Sequence, residues 1–441
     1  HTTRGPTLKS RAGDIHLEVG AALSPPLDPA HGVGRDEVRK GLKALRPVLP
    51  QLLAPGAPSG FLRVLGRRKL VEGILVEARR CRRRSPKDLI HIGIGGSSLG
   101  AEVLWRALAH PQHNLLPASR RKGPRVHFVD NVDPESLGAL LEWVDLRHSL
   151  VHVVSKSGGT VETAAAFQVV RQALEKRVGR TWARHCVATT GKGALGALAS
   201  RERIATLPFP EDVGGRFSGL TASGLFTPAV AGVDVVPLLA GARRMLSRMR
   251  SVEPEQNPAA VAAAIAHRME TAKDKPIHVL MPYADALEPL ARWFVQLCGE
   301  SLGKKRGRGD RTRHVGPTPL AARGTTDQHS QVQLFVEGPP DKLVSFVRIQ
   351  AQGRQVPIPG TEPAAYLDGV RLGALLEAEQ RGTAVALARA GRPSVTWELP
   401  ALDAGSLGQL LVALETQTAY QAALLGLDAF DQPGVEAGKV A

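Results

Sequence analysis

The sequence predicts an α/β chain with two doubly wound α/β/α sandwich units, each with a parallel sheet. A helical N-terminal arm and a C-terminal helical tail flank them. Three observations carry this reading. Short apolar runs alternate with helical patterns along most of the 441 residues, as βα units around a parallel sheet do. Several of those runs end in glycine or hydroxyl residues and open directly into a helix. The alternation also comes in two series, divided by the polar stretch "SVEPEQNPAA".

Residues 1–85 form the expected arm, helical from about residue 35. The first unit covers 86–240. Its first strand, "DLIHIGIG" (88–95), leads into the helical "SLGAEVLWRALA", and "RVHFVD" (125–130), "SLVHVVS" (149–155), "HCVATT" (185–190) and "RIATLPF" (203–209) follow at spacings that leave room for helices. The run from Phe217 to Val230 has few breakers and reads as a further helix. The second unit covers 255–402. An Ala-rich helix (258–272) precedes the strand "PIHVLMP" (276–282), a helix runs from about 286 to 303, and "KLVSFVRI" (342–349) and "SVTWEL" (394–399) are later strands. The tail, 403–441, is helical from 404 to 425 and ends in "DAFDQPGVEAGKVA".

Charge narrows the function less than it first suggests. Lys and Arg number 57 against 41 Asp and Glu, a net charge of +16, which raises nucleic acid, a membrane surface or an anionic small molecule as partners. Nearly all the surplus sits in three stretches: Arg79 to Lys87, 120–125 and 304–313. None of them carries interleaved aromatics to stack on bases, and no helix-turn-helix, RRM or zinc-finger pattern is present, which disfavours nucleic acid. No run reaches the ~18 apolar residues of a membrane span, and no apolar secretory stretch opens the chain. A cytoplasmic protein without membrane attachment is the expectation. Cys81, Cys186 and Cys298 are widely spaced and odd in number, so no disulfide framework or metal site is expected.

Six short segments hold the candidate chemistry. "GIGGSSLG" (Gly93 to Gly100, with Gly96 and Ser97) ends a strand and opens a helix, where free backbone N–H groups can hold an anion. It is neither a Walker loop nor a dinucleotide fingerprint. "SKSGGT" gathers Ser155, Lys156, Ser157 and Thr160 around two glycines after another strand, a phosphate cradle by composition. Gln296 and Glu300 share one helical face at i, i+4. Their apolar surroundings (Trp293, Leu297) suit a carboxylate to general-base work. His329 follows Gln328 in "GTTDQHSQ", Gly215 and Arg216 lie in the glycine turn "VGGRFS", and Gln432 and Lys439 lie in "FDQPGVEAGK".

Taken in order, these segments resemble the glucose-6-phosphate isomerase family. The resemblance implies two sugar-isomerase (SIS) type domains and reversible aldose–ketose isomerisation of glucose 6-phosphate and fructose 6-phosphate through a cis-enediol, a step of glycolysis and gluconeogenesis, without cofactor or metal. It assigns phosphate binding to Ser97, Ser155, Ser157 and Thr160, with Gly96, Lys156 and Gly215 beside them. Glu300 becomes the base, Arg216 the cation near the enediolate, and His329 and Lys439 the ring-opening groups. Gln296 and Gln432 become substrate contacts. A homodimer is implied, with His329 contributed by the neighbouring subunit. The alternatives are a dual phosphoglucose/phosphomannose isomerase, which Gln296 argues against because such relatives tend to carry a smaller hydroxyl residue there, and a non-catalytic SIS-domain regulator. The basic stretch 304–313 begins just after Glu300 and reads as an aid to drawing in an anionic substrate.

Overall fold

The computed structural model describes residues 12–251, 253–306 and 313–434. The chain divides into two compact units, one of residues 52–239 and one of residues up to 51 together with 240 onward. The segment expected as a separate arm is therefore shared between them, and the C-terminal helix is part of a core.

In the unit of 52–239, five strands form one fully parallel sheet: Asp88–Ile92, Arg125–Val129, Ser149–Ser155, Cys186–Thr190 and Ala205–Pro208. They match the five expected strands to within a few residues at their ends. Asp88–Ile92 pairs with both Arg125–Val129 and Ser149–Ser155. Numbered within the unit, the strand order is thus 2-1-3-4-5. Crossovers leave in opposite directions between the first and third strands, and in open α/β sheets ligands bind outside the carboxyl ends at such a switch point. The central strands are buried on both faces, which explains their near-continuous apolar runs. Ile90, Ile92, Val151, Val153 and Ala188 pack with Phe167, Val170 and Leu174 of the helix Val161–Val178, each large side chain contributing about 1.5–3 kcal/mol on burial. The predicted helix from Phe217 is realised as a short turn, Gly215–Phe217, and then the wholly buried helix Ala222–Val230, capped by Thr221.

The other unit holds a mixed sheet. Ser394–Ala401, Lys342–Ala351, Ile277–Pro282 and Thr318–Ala321 run parallel, and His16–Glu18 joins antiparallel at the edge beside Ser394–Ala401. The sequence suggested a purely parallel sheet here; the antiparallel edge strand makes it mixed. His16–Glu18 has three residues and Thr318–Ala321 contains a proline, so neither shows a strand period; proline is tolerated there because the strand lies at the edge. The Ala-rich helix spans Pro258–Ala272, with the Asn257 side chain accepting from Ala260 N at 3.1 Å. The C-terminal helix Ala404–Leu425 starts on Asp403, which accepts from Ser406 N at 2.7 Å, and stops at the left-handed Gly426. Among the described residues no helix is long and apolar enough to cross a membrane.

One charged contact lies at the start of the parallel sheet. Asp88, fully buried, faces Arg125 across the strand pair and accepts from Arg125 Nε at 2.7 Å, Arg125 Nη2 at 2.8 Å and His127 Nε2 at 2.9 Å. Burial pushes this carboxyl up, but the hydrogen bonds from His127 and Arg125 outweigh it and leave it below the usual range. A depressed carboxylate contributes stability that is complete above the unfolded pKa of ~3.9 and is lost as pH falls through the lower folded value. Asp88→Asn is therefore expected to cost about 1–3 kcal/mol at neutral pH in urea unfolding. Its difference from wild type should shrink as the pH drops below about 4.

Candidate active site

The two anion turns leave the carboxyl ends of the strands that flank the switch point. The first, Gly95–Ser97, follows Asp88–Ile92 and runs into the helix Leu99–Leu108. Gly96 has to be glycine: a Cβ there would lie 2.2 Å from the Gly215 carbonyl, so the two turns touch backbone to backbone. The Gly96 carbonyl accepts from the hydroxyls of Ser218 at 3.0 Å and Ser223 at 3.3 Å. Ser97 is half-buried.

The second turn follows Ser149–Ser155 and opens the helix Val161–Val178. Its hydroxyls do different work. Ser155 is buried; its Oγ accepts from Gly158 N at 3.1 Å and lies 3.3 Å from Thr160 Oγ1. Ser155 thus organises the turn. Gly158 adopts a left-handed φ of +69° there, which glycine reaches without steric cost. Ser157 is exposed and Thr160 half-buried, so both can meet a ligand. Lys156 donates from Nζ to the carbonyls of Val213 at 2.8 Å and Glu211 at 3.0 Å. Burial pushes its ammonium below the ordinary range, and Asp212 and Glu211 partly offset that. Lys156 therefore ties this turn to the segment that leads into Gly215 and Arg216.

Asp212, which the sequence alone did not single out, anchors the same segment. Its carboxylate accepts from Arg63 Nη2 at 2.8 Å and Arg67 Nη1 at 2.9 Å, and its carbonyl accepts from Gly60 N at 2.9 Å. Hydrogen bonds from Arg67, against a smaller effect of burial, and from Arg63 hold its carboxyl below the usual range. Arg216, four residues further on, is only 2% exposed. This unit thus brings together Gly96, Ser97, Ser155, Lys156, Ser157, Thr160, Gly215 and Arg216.

The remaining candidates belong to the other unit. Gln296 and Glu300 lie one turn apart on the helix Glu288–Leu302, half-buried, with Trp293 and Leu297 in the core behind them. Gln296 Nε2 donates to Glu300 Oε1 at 2.9 Å. Gln296 Oε1 is buried without a hydrogen-bond partner among the described residues. His329 is exposed, just after the turn Thr326–Gln328, before rather than at the start of the helix Val332–Glu337. Its neighbours are pinned: Gln328 accepts from Tyr283 Oη at 2.5 Å and donates to Glu379 at 2.8 Å, and Asp327 accepts from Ser330 Oγ and Arg323 N, each at 2.6 Å. Gln432 is half-buried, and Lys439 lies outside the described residues.

The basic stretches have local partners. Lys304 and its neighbours form a two-stranded antiparallel pair, Lys304–Arg306 with Arg313–Val315, and the Lys304 side chain is only 6% exposed, its ammonium bound to the Asp431 carbonyl and carboxylate. It pins the residue before Gln432 instead of facing solvent to draw in anions; the intervening part of the stretch, including Arg308, lies outside the described residues. Arg80 pairs with Glu77, Arg82 and Arg84 donate to backbone carbonyls, and Lys87 lies 3.4 Å from Asp145. All three cysteines are buried, and burial pushes each thiol up to about 12, away from nucleophilic use. Among the described residues no three His, Cys, Asp or Glu side chains are grouped to hold a metal ion.

The chain is similar to known proteins over most of its length. The family described as phosphoglucose isomerase matches residues 78–358 and 379–441. A glucose-6-phosphate isomerase of Rubrobacter xylanophilus is 46% identical over 417 residues, 91% of this chain and 94% of that one. One from Thermus thermophilus is 40% identical over 418 residues, 93% of this chain and 94% of that one. Among solved structures, a hypothetical protein of Thermus thermophilus superposes with a TM-score of 0.85 at 37% identity, covering 97% of this chain and 98% of that one. A glucose-6-phosphate isomerase of Chlamydia trachomatis shares the fold, with a TM-score of 0.80 at 23% identity over 97% of this chain and 87% of that one. Matched by the family over most of its length and by such relatives almost end to end, the chain belongs to the phosphoglucose isomerase family.

Proposed function

We infer that the chain interconverts glucose 6-phosphate and fructose 6-phosphate through a cis-enediol. The observation that carries the reading is Glu300, a half-buried carboxylate oriented by Gln296 Nε2 at 2.9 Å on a helix whose apolar face lies in the core. An aldose–ketose shift needs one base that removes a proton α to a carbonyl and returns it to the neighbouring carbon on the same face. Glu300 takes that part.

The other residues follow from the charge that the reaction develops. As the proton leaves, negative charge grows on the sugar oxygens, and the seated guanidinium of Arg216 stabilises it without having to reorganise. The phosphate does not react; the turns around Ser97, Ser155, Ser157 and Thr160 hold it so that the reacting carbons stay in place. Ring opening requires proton transfers at the ring and anomeric oxygens, which we assign to His329 and Lys439. Gln296 and Gln432 contact the sugar hydroxyls. The protein acts in the cytoplasm as a homodimer in which His329 serves the site of the second copy; its exposure supports that assignment.

Three measurements test this reading. Glu300→Gln should lower kcat at least about a hundredfold in a coupled assay on fructose 6-phosphate, with little change in KM, since only the base is lost. An active variant would overturn the assignment. Glu300→Gln and His329→Ala chains, each inactive alone, should regain activity when unfolded and refolded together, because a mixed dimer with His329 acting in trans has one intact site. No recovery would place His329 in its own chain's site. Lys304→Met, which removes the Lys304 contact to Asp431 beside Gln432, should raise KM by about three- to tenfold, the worth of one ordering contact of about 1 kcal/mol.

A further inference from the structure

Beneath the first anion turn lies a chain of four polar side chains with no exposed surface: His91, Thr227, His152 and Thr189. His91 and His152 are direct partners on adjacent strands, their rings edge to face with centroids 4.9 Å apart. His91 Nε2 lies 2.7 Å from the Ser97 carbonyl oxygen and its Nδ1 2.8 Å from Thr227 Oγ1. Thr227 Oγ1 is also 2.9 Å from His152 Nδ1, and His152 Nε2 is 2.8 Å from Thr189 Oγ1.

The donor and acceptor accounting has one solution. A carbonyl can only accept, so His91 carries its proton on Nε2. Burial holds His91 down at about 4 despite the Ser97 carbonyl, and burial, with His91 beside it, pushes His152 well below the ordinary range. Both rings are therefore neutral near pH 7, and His91 Nδ1 must accept from the Thr227 hydroxyl. That uses the only proton Thr227 has, so its oxygen accepts from His152 Nδ1–H. His152 Nε2 then accepts from Thr189. Every ring nitrogen is satisfied, and the chain of donors can run in only one direction.

We propose that His91 is a positioning residue for the anion turn, acting through the Ser97 carbonyl, and that Thr227 holds it in the Nε2–H tautomer this requires. The proposal rests on the reading that this turn receives the substrate phosphate. A carbonyl facing a phosphate would repel it, so an anion turn has to keep its carbonyls occupied elsewhere. The Gly96 carbonyl is held by Ser218 and Ser223, and the Ser97 carbonyl by His91. The ring is suited to this because it donates while neutral. A lysine or arginine at the same depth would bring an unpaired buried charge.

The test is Thr227→Val, which keeps the shape and removes the hydroxyl, with Thr227→Ser as the variant that keeps it. Thr227→Val should raise both KM for fructose 6-phosphate and Kd for inorganic phosphate by about tenfold, the upper worth of one buried hydrogen bond, with kcat nearly unchanged. Thr227→Ser should restore both. Ser157→Ala, which alters the second turn directly, separates the outcomes. If Ser157→Ala weakens phosphate binding and Thr227→Val does not, the positioning role is wrong while the phosphate reading stands. If neither does, the phosphate reading fails and takes the proposal with it. Should Thr227→Val not fold, ring 15N shifts of the histidines in the wild-type protein decide: His91 protonated on Nε2 and His152 on Nδ1 support the lock, and the opposite tautomer on either ring overturns it.

Discussion

A parallel strand cannot return to its neighbour by a tight turn, so each one ends in a crossover, and where two crossovers depart in opposite directions the carboxyl edge of the sheet is left uncovered. In the unit of 52–239 that edge lies between Asp88–Ile92 and Ser149–Ser155. Each strand there continues into a glycine-bearing turn and then a helix, so amide groups that lack an intrahelical acceptor collect where a phosphate can use them. Several contacts in this unit converge on that edge. Gly96 lets the Arg216 turn approach to backbone contact, Lys156 and Asp212 fix the approach, and the buried histidines hold the first turn from below.

The electrostatics divide in the same way. Arg216 is held by burial and Lys156 by backbone carbonyls, so under the proposed function these two cations cost little reorganisation when charge arrives. The groups beneath the turn are polar and neutral. Burial that would penalise a charge leaves a neutral imidazole intact, provided both nitrogens have partners. His91 and His152 meet that condition only together, through Thr227.

The second unit solves a different problem: placing one carboxylate and its companions on a rigid helix. Glu288–Leu302 packs its apolar face into the core and leaves Gln296 and Glu300 half-buried. The helices Pro258–Ala272 and Ala404–Leu425, both largely buried, complete that core. Lys304, at the base of the basic strand pair, holds Asp431 just before Gln432. A lysine in the stretch that the sequence reads as an aid to drawing in an anionic substrate is in this way a structural tether.

The sequence by itself determined the βα alternation, the five strands of the first sheet, the long helices of the second unit and the residue types of both anion turns. These are written in local periods, in glycines at strand ends and in spacings such as Gln296 to Glu300. It did not reveal His16–Glu18 or Thr318–Ala321, because three residues or a proline-bearing four carry no period; their pairing comes from a sheet already formed. Nor did it mark Asp212, His91, His152 and Thr227. A histidine inside an apolar strand hints at a buried partner, but the partner lies 136 residues away for His91 and 75 for His152. Only the tertiary structure decided which hydroxyl and which carbonyl each ring would meet, because hydrogen-bond satisfaction inside a core depends on neighbours in space and not on neighbours in the chain.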